Sequence, residues 1–152
     1  MEKILALAAD HGGYALKEEI KKHLDSMGVK YIDLGTDSEK SVNYPEYAAK
    51  LCREIKSGKC YRGILCCGTG IGMSIAANKF DGIRAACASD SFSVKYTRLH
   101  NDANVLCLGG RVVGTGLALE LVDIFLDTPF EGGRHQNRID KIAAIEERER
   151  GK

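Results

Sequence analysis

Short apolar runs alternate with longer amphipathic stretches along most of this chain, and that alternation predicts parallel βαβ units. The first run, 3–9, ends in Asp10-His11-Gly12-Gly13. Over 14–27, Leu16, Ile20 and Leu24 recur four apart among lysines and glutamates, and Gly28 closes what this spacing makes a surface helix. A second strand is expected over 29–34, followed by a polar loop at 35–43 and a helix opened by Pro45 that runs to about 57. The third strand, 62–67, leads through Gly68-Thr69-Gly70-Ile71-Gly72 into a small-residue helix over 73–80. Strands at 83–87 and 105–108 and helices at 90–98 and 114–127 follow, the last with Leu117, Leu121 and Phe125 in register. Beyond 129 come a glycine-containing turn and a charged helix with Ile139, Ile142 and Ile145 on one face.

The pattern implies a three-layer α/β/α, Rossmann-like fold, with a five-stranded parallel sheet in the order 2-1-3-4-5 and a C-terminal helical extension over 129–152. In such sheets ligands sit beyond the carboxyl ends of the strands where the strand order reverses. The turn after the first strand and the turn after the third, the two most polar and glycine-rich of the chain, would then share one crevice.

Composition narrows the class without naming a chemistry. With 152 residues, 44% hydrophobic and 28% charged, the chain suits one domain over 1–152. A formal charge of +1 supplies no global field toward nucleic acid or an anionic membrane, so any anion site must be local. The apolar runs are far shorter than a membrane span and no cleavable signal pattern follows Lys3, which makes the cytoplasm the expected location. The six cysteines are therefore expected as reduced thiols, those at 52, 60, 66, 87 and 107 buried and inert. No C-x-x-C pair occurs, and the four histidines lack metal-binding spacing, so neither a metal nor a cofactor is expected.

Several residues carry possible chemistry. Three glycines alternate with Thr69 and Ile71 just before a helix, which makes either a nest of backbone N–H groups for an oxyanion or simply a tight turn. Met73 breaks a dinucleotide fingerprint there. Cys66 and Cys67 are consecutive in a strand and point to opposite faces, so only Cys67 can reach the crevice, as a base or nucleophile or else as a buried bystander. Arg98, His100, Asn101, Asp102 and Asn104 crowd the start of the fifth strand, with His100 the natural acid or base. Arg111, Arg134 and Arg138 could clamp a phosphate or pair with surface carboxylates such as Glu131 and Asp140.

Six ordered blocks carry a resemblance that spans essentially the whole chain: A-D-H-G-G at 9–13, D-x-G-T at 33–36 with Tyr44-Pro45, C-G-T-G-I-G-M-S-I-A-A-N-K at 67–79, H-N-D-A-N-V-L at 100–106, G-G-R at 109–111 and G-G-R-H-Q-N-R at 132–138. Together they resemble the ribose-5-phosphate isomerase B family, which also includes allose-6-phosphate and galactose-6-phosphate isomerases. The resemblance implies metal-free aldose–ketose interconversion of a sugar phosphate through a cis-enediol(ate). It also implies a homodimer, or a dimer of dimers, whose sites use residues of both subunits, with the 129–152 tail at the interface. Carried over by position, Cys67 would be the base between C1 and C2, and His100 would open the furanose ring. Asp10 and His11 would hold substrate hydroxyls, with Asp10 orienting ring opening. Gly68, Thr69, Gly70, Ile71 and Gly72 would face the enediolate, Asn101 would add a polar contact, and Arg111, Arg134 and Arg138 would bind phosphate. Tyr44 and Thr69 would assist. Some members replace the cysteine by a glutamate in the helix after the glycine turn, but 72–76 here contains no carboxylate. Ribose 5-phosphate is the expected substrate, with an allose-6-phosphate isomerase, a galactose-6-phosphate isomerase subunit and a sugar-phosphate-binding subunit without catalysis as the rival expectations.

Overall fold

The computed structural model describes residues 2–152. Its elements run β1 (Leu5–Ala9), α1 (Tyr14–Ser26), β2 (Tyr31–Asp33), α2 (Tyr44–Lys56), β3 (Arg62–Cys67), α3 (Ile71–Ala77), β4 (Ala85–Cys87), α4 (Ser91–Asn101), β5 (Val105–Gly109), α5 (Thr115–Asp127) and α6 (Arg134–Glu149). All strand pairings are parallel, as crossover helices require. Successive residues of the central strands feed opposite cores. Leu5, Leu7, Ile64, Cys66 and Leu106 pack with Leu16, Ile20, Leu121 and Phe125 of α1 and α5. Ala6, Ala8, Leu65, Cys67 and Cys107 pack with Ala48, Leu51 and Cys52 of α2 and Met73 of α3.

The sheet order is β2-β1-β3-β5-β4, which corrects the expected 2-1-3-4-5. Every residue of Val105–Gly109 is buried, so that strand needs a neighbour on each side and lies between β3 and β4. Ala85–Cys87 is three residues long and incompletely covered, which suits the edge. Arg84 and Asn104 stitch that edge down: Asn104 Oδ1 accepts the Arg84 N–H at 2.7 Å, and Asn104 Nδ2 donates to the Gly82 carbonyl at 2.9 Å. The swap leaves the reversal between β1 and β3 intact, because β2 and β3 still flank β1.

Three further expectations change. α3 starts at Ile71 rather than at 73, its first turn entered through Gly70 at φ +81°. Leu117 sits at an exposed margin while Ala118, Leu121, Val122 and Phe125 form the buried face of α5. On α6, Ile139 is buried but Ile142 and Ile145 are about half exposed, and Glu146 accepts the Gly82 N–H at 2.9 Å across the β4 edge.

Gly13 shows how tightly the first turn is held. A Cβ there would stand 2.3 Å from the backbone carbonyl carbon and oxygen of Cys66, although its φ of −108° suits any residue. Gly13→Ala should therefore cost roughly 1–3 kcal/mol through displacement of α1 from β3. Urea unfolding of the variant measures this, and an unchanged midpoint would show that the approach is slack.

Candidate active site

The candidate residues gather in two groups. The first lies where β1 and β3 end side by side. The Asp10 N–H donates to the Cys66 carbonyl at 3.1 Å, closing the Asp10 turn against β3. Asp10 is nearly buried, and its Oδ1 accepts the N–H groups of Gly12 at 2.9 Å and Gly13 at 3.2 Å. This arrangement aims its carboxylate at the crevice without spending a second side chain. His11 Nδ1 accepts the Val42 N–H at 3.2 Å, so a neutral His11 carries its proton on Nε2 and serves as a donor. The same bond ties the long polar loop to the site.

Cys67 ends β3, and its Sγ accepts the Gly70 N–H at 3.1 Å. A backbone donor thus faces the atom that would carry the charge of a base. The Ile71 N–H goes to Thr69 Oγ1 at 3.2 Å, so two donors of the expected nest are engaged inside the turn itself. The β5–α5 loop crosses this turn: the Gly110 and Arg111 N–H groups donate to the carbonyls of Cys67 and Gly68 at 2.8 and 3.0 Å. That crossing carries Arg111 over the glycine turn, where its Nη1 lies 3.1 Å from the position a Cβ on Gly68 would take. Tyr44, the first residue of α2, lays its ring 2.8 Å from the equivalent position on Gly72. Asp10, His11, Tyr44, Cys67, the 68–72 turn and Arg111 are therefore neighbours.

Behind this group Asp33 accepts from Lys17 Nζ at 2.8 Å, from Lys21 Nζ at 2.8 Å and from the Gly35 N–H at 2.9 Å. Gly35 and Thr36 extend the pairing of β1, with the Thr36 N–H on the Ala9 carbonyl at 2.8 Å. The D-x-G-T block thus braces the strand that presents Asp10. The Asp33 carboxyl lies below its ordinary range because the Lys17, Lys21 and Gly35 hydrogen bonds outweigh the opposing effect of burial.

The second group belongs to α4 and α6. His100 stacks on His135 with ring centroids 4.0 Å apart and on Tyr96 edge-on at 5.1 Å. Glu131 reaches both imidazoles, 3.7 Å from His100 Nε2 and 3.6 Å from His135 Nε2. Asn101 is exposed beside His100 and lines one cavity with it. Arg134 and Arg138 are exposed one turn apart on α6. Glu131 faces the histidines and Asp140 accepts from Gln136, so the expected alternative for the arginines has lost its carboxylates. Among the described residues Arg111, Arg134 and Arg138 form no ion pair.

Other polar residues prove structural. Arg98 is buried and donates to the carbonyls of Thr128 and Ala103 and to Asp102 Oδ1 at 3.0, 2.8 and 2.7 Å. His23 pairs with Asp123 at 2.7 Å. All six thiols are free. Burial pushes Cys52 and Cys66 up to about 12 and raises Cys60 and Cys107. Cys87, expected to be buried, is exposed because its strand is the sheet edge. His135 and Glu131 are the neighbours of His100 that the sequence did not single out. Only their spacing of four on either side of the α6 start hinted at a shared face.

The family model described as Ribose/Galactose Isomerase matches residues 5–142. The chain is 50% identical over 146 residues to ribose-5-phosphate isomerase B of Escherichia coli, covering 96% of this chain and 98% of that one. Among solved structures it resembles ribose-5-phosphate isomerase B of Clostridium thermocellum, with a TM-score of 0.94 and 50% identity over 95% of this chain and 98% of that one. The corresponding structure from Thermotoga maritima gives a TM-score of 0.92 and 49% identity, over 95% and 99%. No helix among the described residues is long and apolar enough to cross a membrane.

Proposed function

The chain belongs to the ribose/galactose isomerase family, and on that premise we propose that it interconverts D-ribose 5-phosphate and D-ribulose 5-phosphate through a cis-enediol(ate). The observation that carries this reading is the meeting of Cys67 with Asp10, His11 and Arg111 at the β1–β3 crevice. An enediolate mechanism needs a base beside C1 and C2, donors where negative charge develops and a distal anchor for the phosphate. Cys67 moves the proton between the two carbons. Asp10 and His11 hold the sugar hydroxyls, the 68–72 turn faces the enediolate oxygen, and His100 protonates the ring oxygen to open the furanose. Arg111, Arg134 and Arg138 take the phosphate, whose charge compensates three guanidinium groups that lack carboxylates. None of these steps calls for a metal or a cofactor.

The two groups supply complementary halves of such a site, and a homodimer in which one copy gives Cys67 and Arg111 and the other gives His100, Arg134 and Arg138 unites them. Ile71, Ile75, Phe92 and Val112 support this assembly: each is more than half exposed, and Ile71 and Val112 line one cavity with Thr69. Apolar side chains left bare beside a polar site are those a second chain would cover. Six free thiols suit the cytoplasm, where such groups stay reduced.

Turnover of ribose 5-phosphate by the purified chain in EDTA tests the reading, with allose 6-phosphate run beside it at matched concentration. Robust pentose turnover is expected, and Arg138→Ala should raise KM roughly 10–100-fold with a smaller change in kcat, since the phosphate is held alike in ground and transition states. Preference for the hexose phosphate would move the substrate, and no turnover of either would leave a binding-only or partner-dependent subunit.

A further inference from the structure

We propose that the buried Lys17–Asp33 ion pair positions Asp10 for catalysis, the Asp33 carboxylate fixing both ends of the turn that presents it. The inference rests on the role proposed above for Asp10. The turn is entered from Ala9, whose N–H donates to the Gly35 carbonyl at 2.7 Å and whose carbonyl accepts the Thr36 N–H at 2.8 Å. Gly35 in turn gives its own N–H to Asp33 Oδ1 at 2.9 Å. The exit from the turn is α1, where the Lys17 N–H donates to the Gly13 carbonyl at 2.9 Å. Lys17 then returns its ammonium to the same carboxylate, 2.9 Å from Oδ1 and 2.8 Å from Oδ2. Residues 10–13 are thus spanned by a closed circuit that begins and ends on Asp33.

The burial of Lys17 is an independent observation. Its side chain is 2% exposed, against 27% for Asp33. Removing an ammonium from water is costly, and an apolar side chain of similar volume in its place is often as stable or more so. Stability alone gives little reason for a cation there. What a lysine supplies and a methionine lacks is a charged, two-point contact with the carboxylate that also holds Gly35. Lys21 adds a second ammonium on Oδ2 at 2.8 Å, and Glu18 faces Lys17 at 3.2 Å, so two cations balance two carboxylates.

Asp10 follows the backbone of its turn because its Oδ1 is held by the Gly12 and Gly13 N–H groups. A slack turn therefore moves the carboxylate, and misplacement of a reacting group by about 1 Å costs on the order of 10²-fold in rate. Lys17 and Asp33 lie behind the crevice and act through Asp10, which makes them positioning residues.

A double-mutant cycle on kcat/KM for ribose 5-phosphate tests this. Asp33→Asn keeps an acceptor for the Gly35 N–H and removes the charge, and should lower kcat/KM roughly 10–100-fold. Asp10→Asn should cost at least as much. Adding Asp33→Asn to Asp10→Asn should then cost less than about 3-fold, because the group that the pair positions is already lost, whereas general loosening of the fold would cut the rate equally in both backgrounds. Lys17→Met combined with Asp33→Asn leaves no buried charge unpaired, so its urea midpoint should return toward wild type while kcat/KM stays low. That combination replaces Asp33→Asn in the cycle if the single variant does not fold. Equal losses in both backgrounds, or turnover that recovers along with stability, would overturn the proposal. Near wild-type turnover in Asp10→Asn would instead remove Asp10 from the reaction, and the positioning role with it.

Discussion

Cys67→Ala should lower kcat for ribose 5-phosphate by about 10²–10⁴-fold, equivalent to roughly 3–5 kcal/mol of barrier, with KM changed only a few-fold. The split follows from where the residue sits. Cys67 closes β3 with its sulfur on the Gly70 N–H of the glycine turn, whereas the phosphate is assigned to arginines on other elements. Losing a proton carrier therefore costs the transition state and leaves the anchor in place. Cys67→Ser keeps an acceptor for the Gly70 N–H but replaces the thiol with a far poorer base, and should be almost as slow. Cys66→Ala supplies the contrast. That thiol lies in the core on the opposite face of the sheet, pushed up to about 12 by burial, so its loss should touch stability and spare turnover. Near wild-type turnover in Cys67→Ala would remove the residue from the chemistry.

The distinction between Cys66 and Cys67 was legible in the sequence because strand alternation is a strict period of two. The same is true of the β1–β3 crevice, since two glycine-rich turns following apolar runs in a parallel sheet have few other places to meet. Strand order was not legible at the far side. Chain order places 85–87 before 105–109, and only the folded packing decides which strand needs two neighbours; the small and polar content around Arg84 was the available hint. That one exchange also moved Cys87 from the expected interior to the exposed edge. The arginines pose a different problem. Whether a surface guanidinium is free depends on where each carboxylate points, and Glu131 turns to His100 and His135 while Asp140 turns to Gln136. Such choices are made among side chains distant in sequence, where periodicity carries no information. His100 was found by its chemistry, but the stack it forms with His135 joins α4 to α6 and has no local signature.

Mixing two crippled chains should restore activity. Cys67→Ala and His100→Asn are each expected to be nearly inactive as homodimers, the second because a cyclic sugar is no longer opened. If each site takes Cys67 from one copy and His100 from the other, a mixed dimer contains one doubly defective site and one intact site. Random assortment makes about half of the dimers mixed, so coexpression should return about a quarter of wild-type specific activity. The expectation rests on two features of the chain. Cys67, Asp10 and Arg111 are bound together around the β3 end, and His100 is locked to the α6 start through His135, which carries Arg134 and Arg138 with it. Each group would therefore travel as a unit into the shared site. Were Cys67 and His100 of one chain to serve the same site, every site in every dimer would carry one defect, and mixing would return nothing. Recovery near a quarter would thus assign the ring-opening acid and the proton carrier to different subunits.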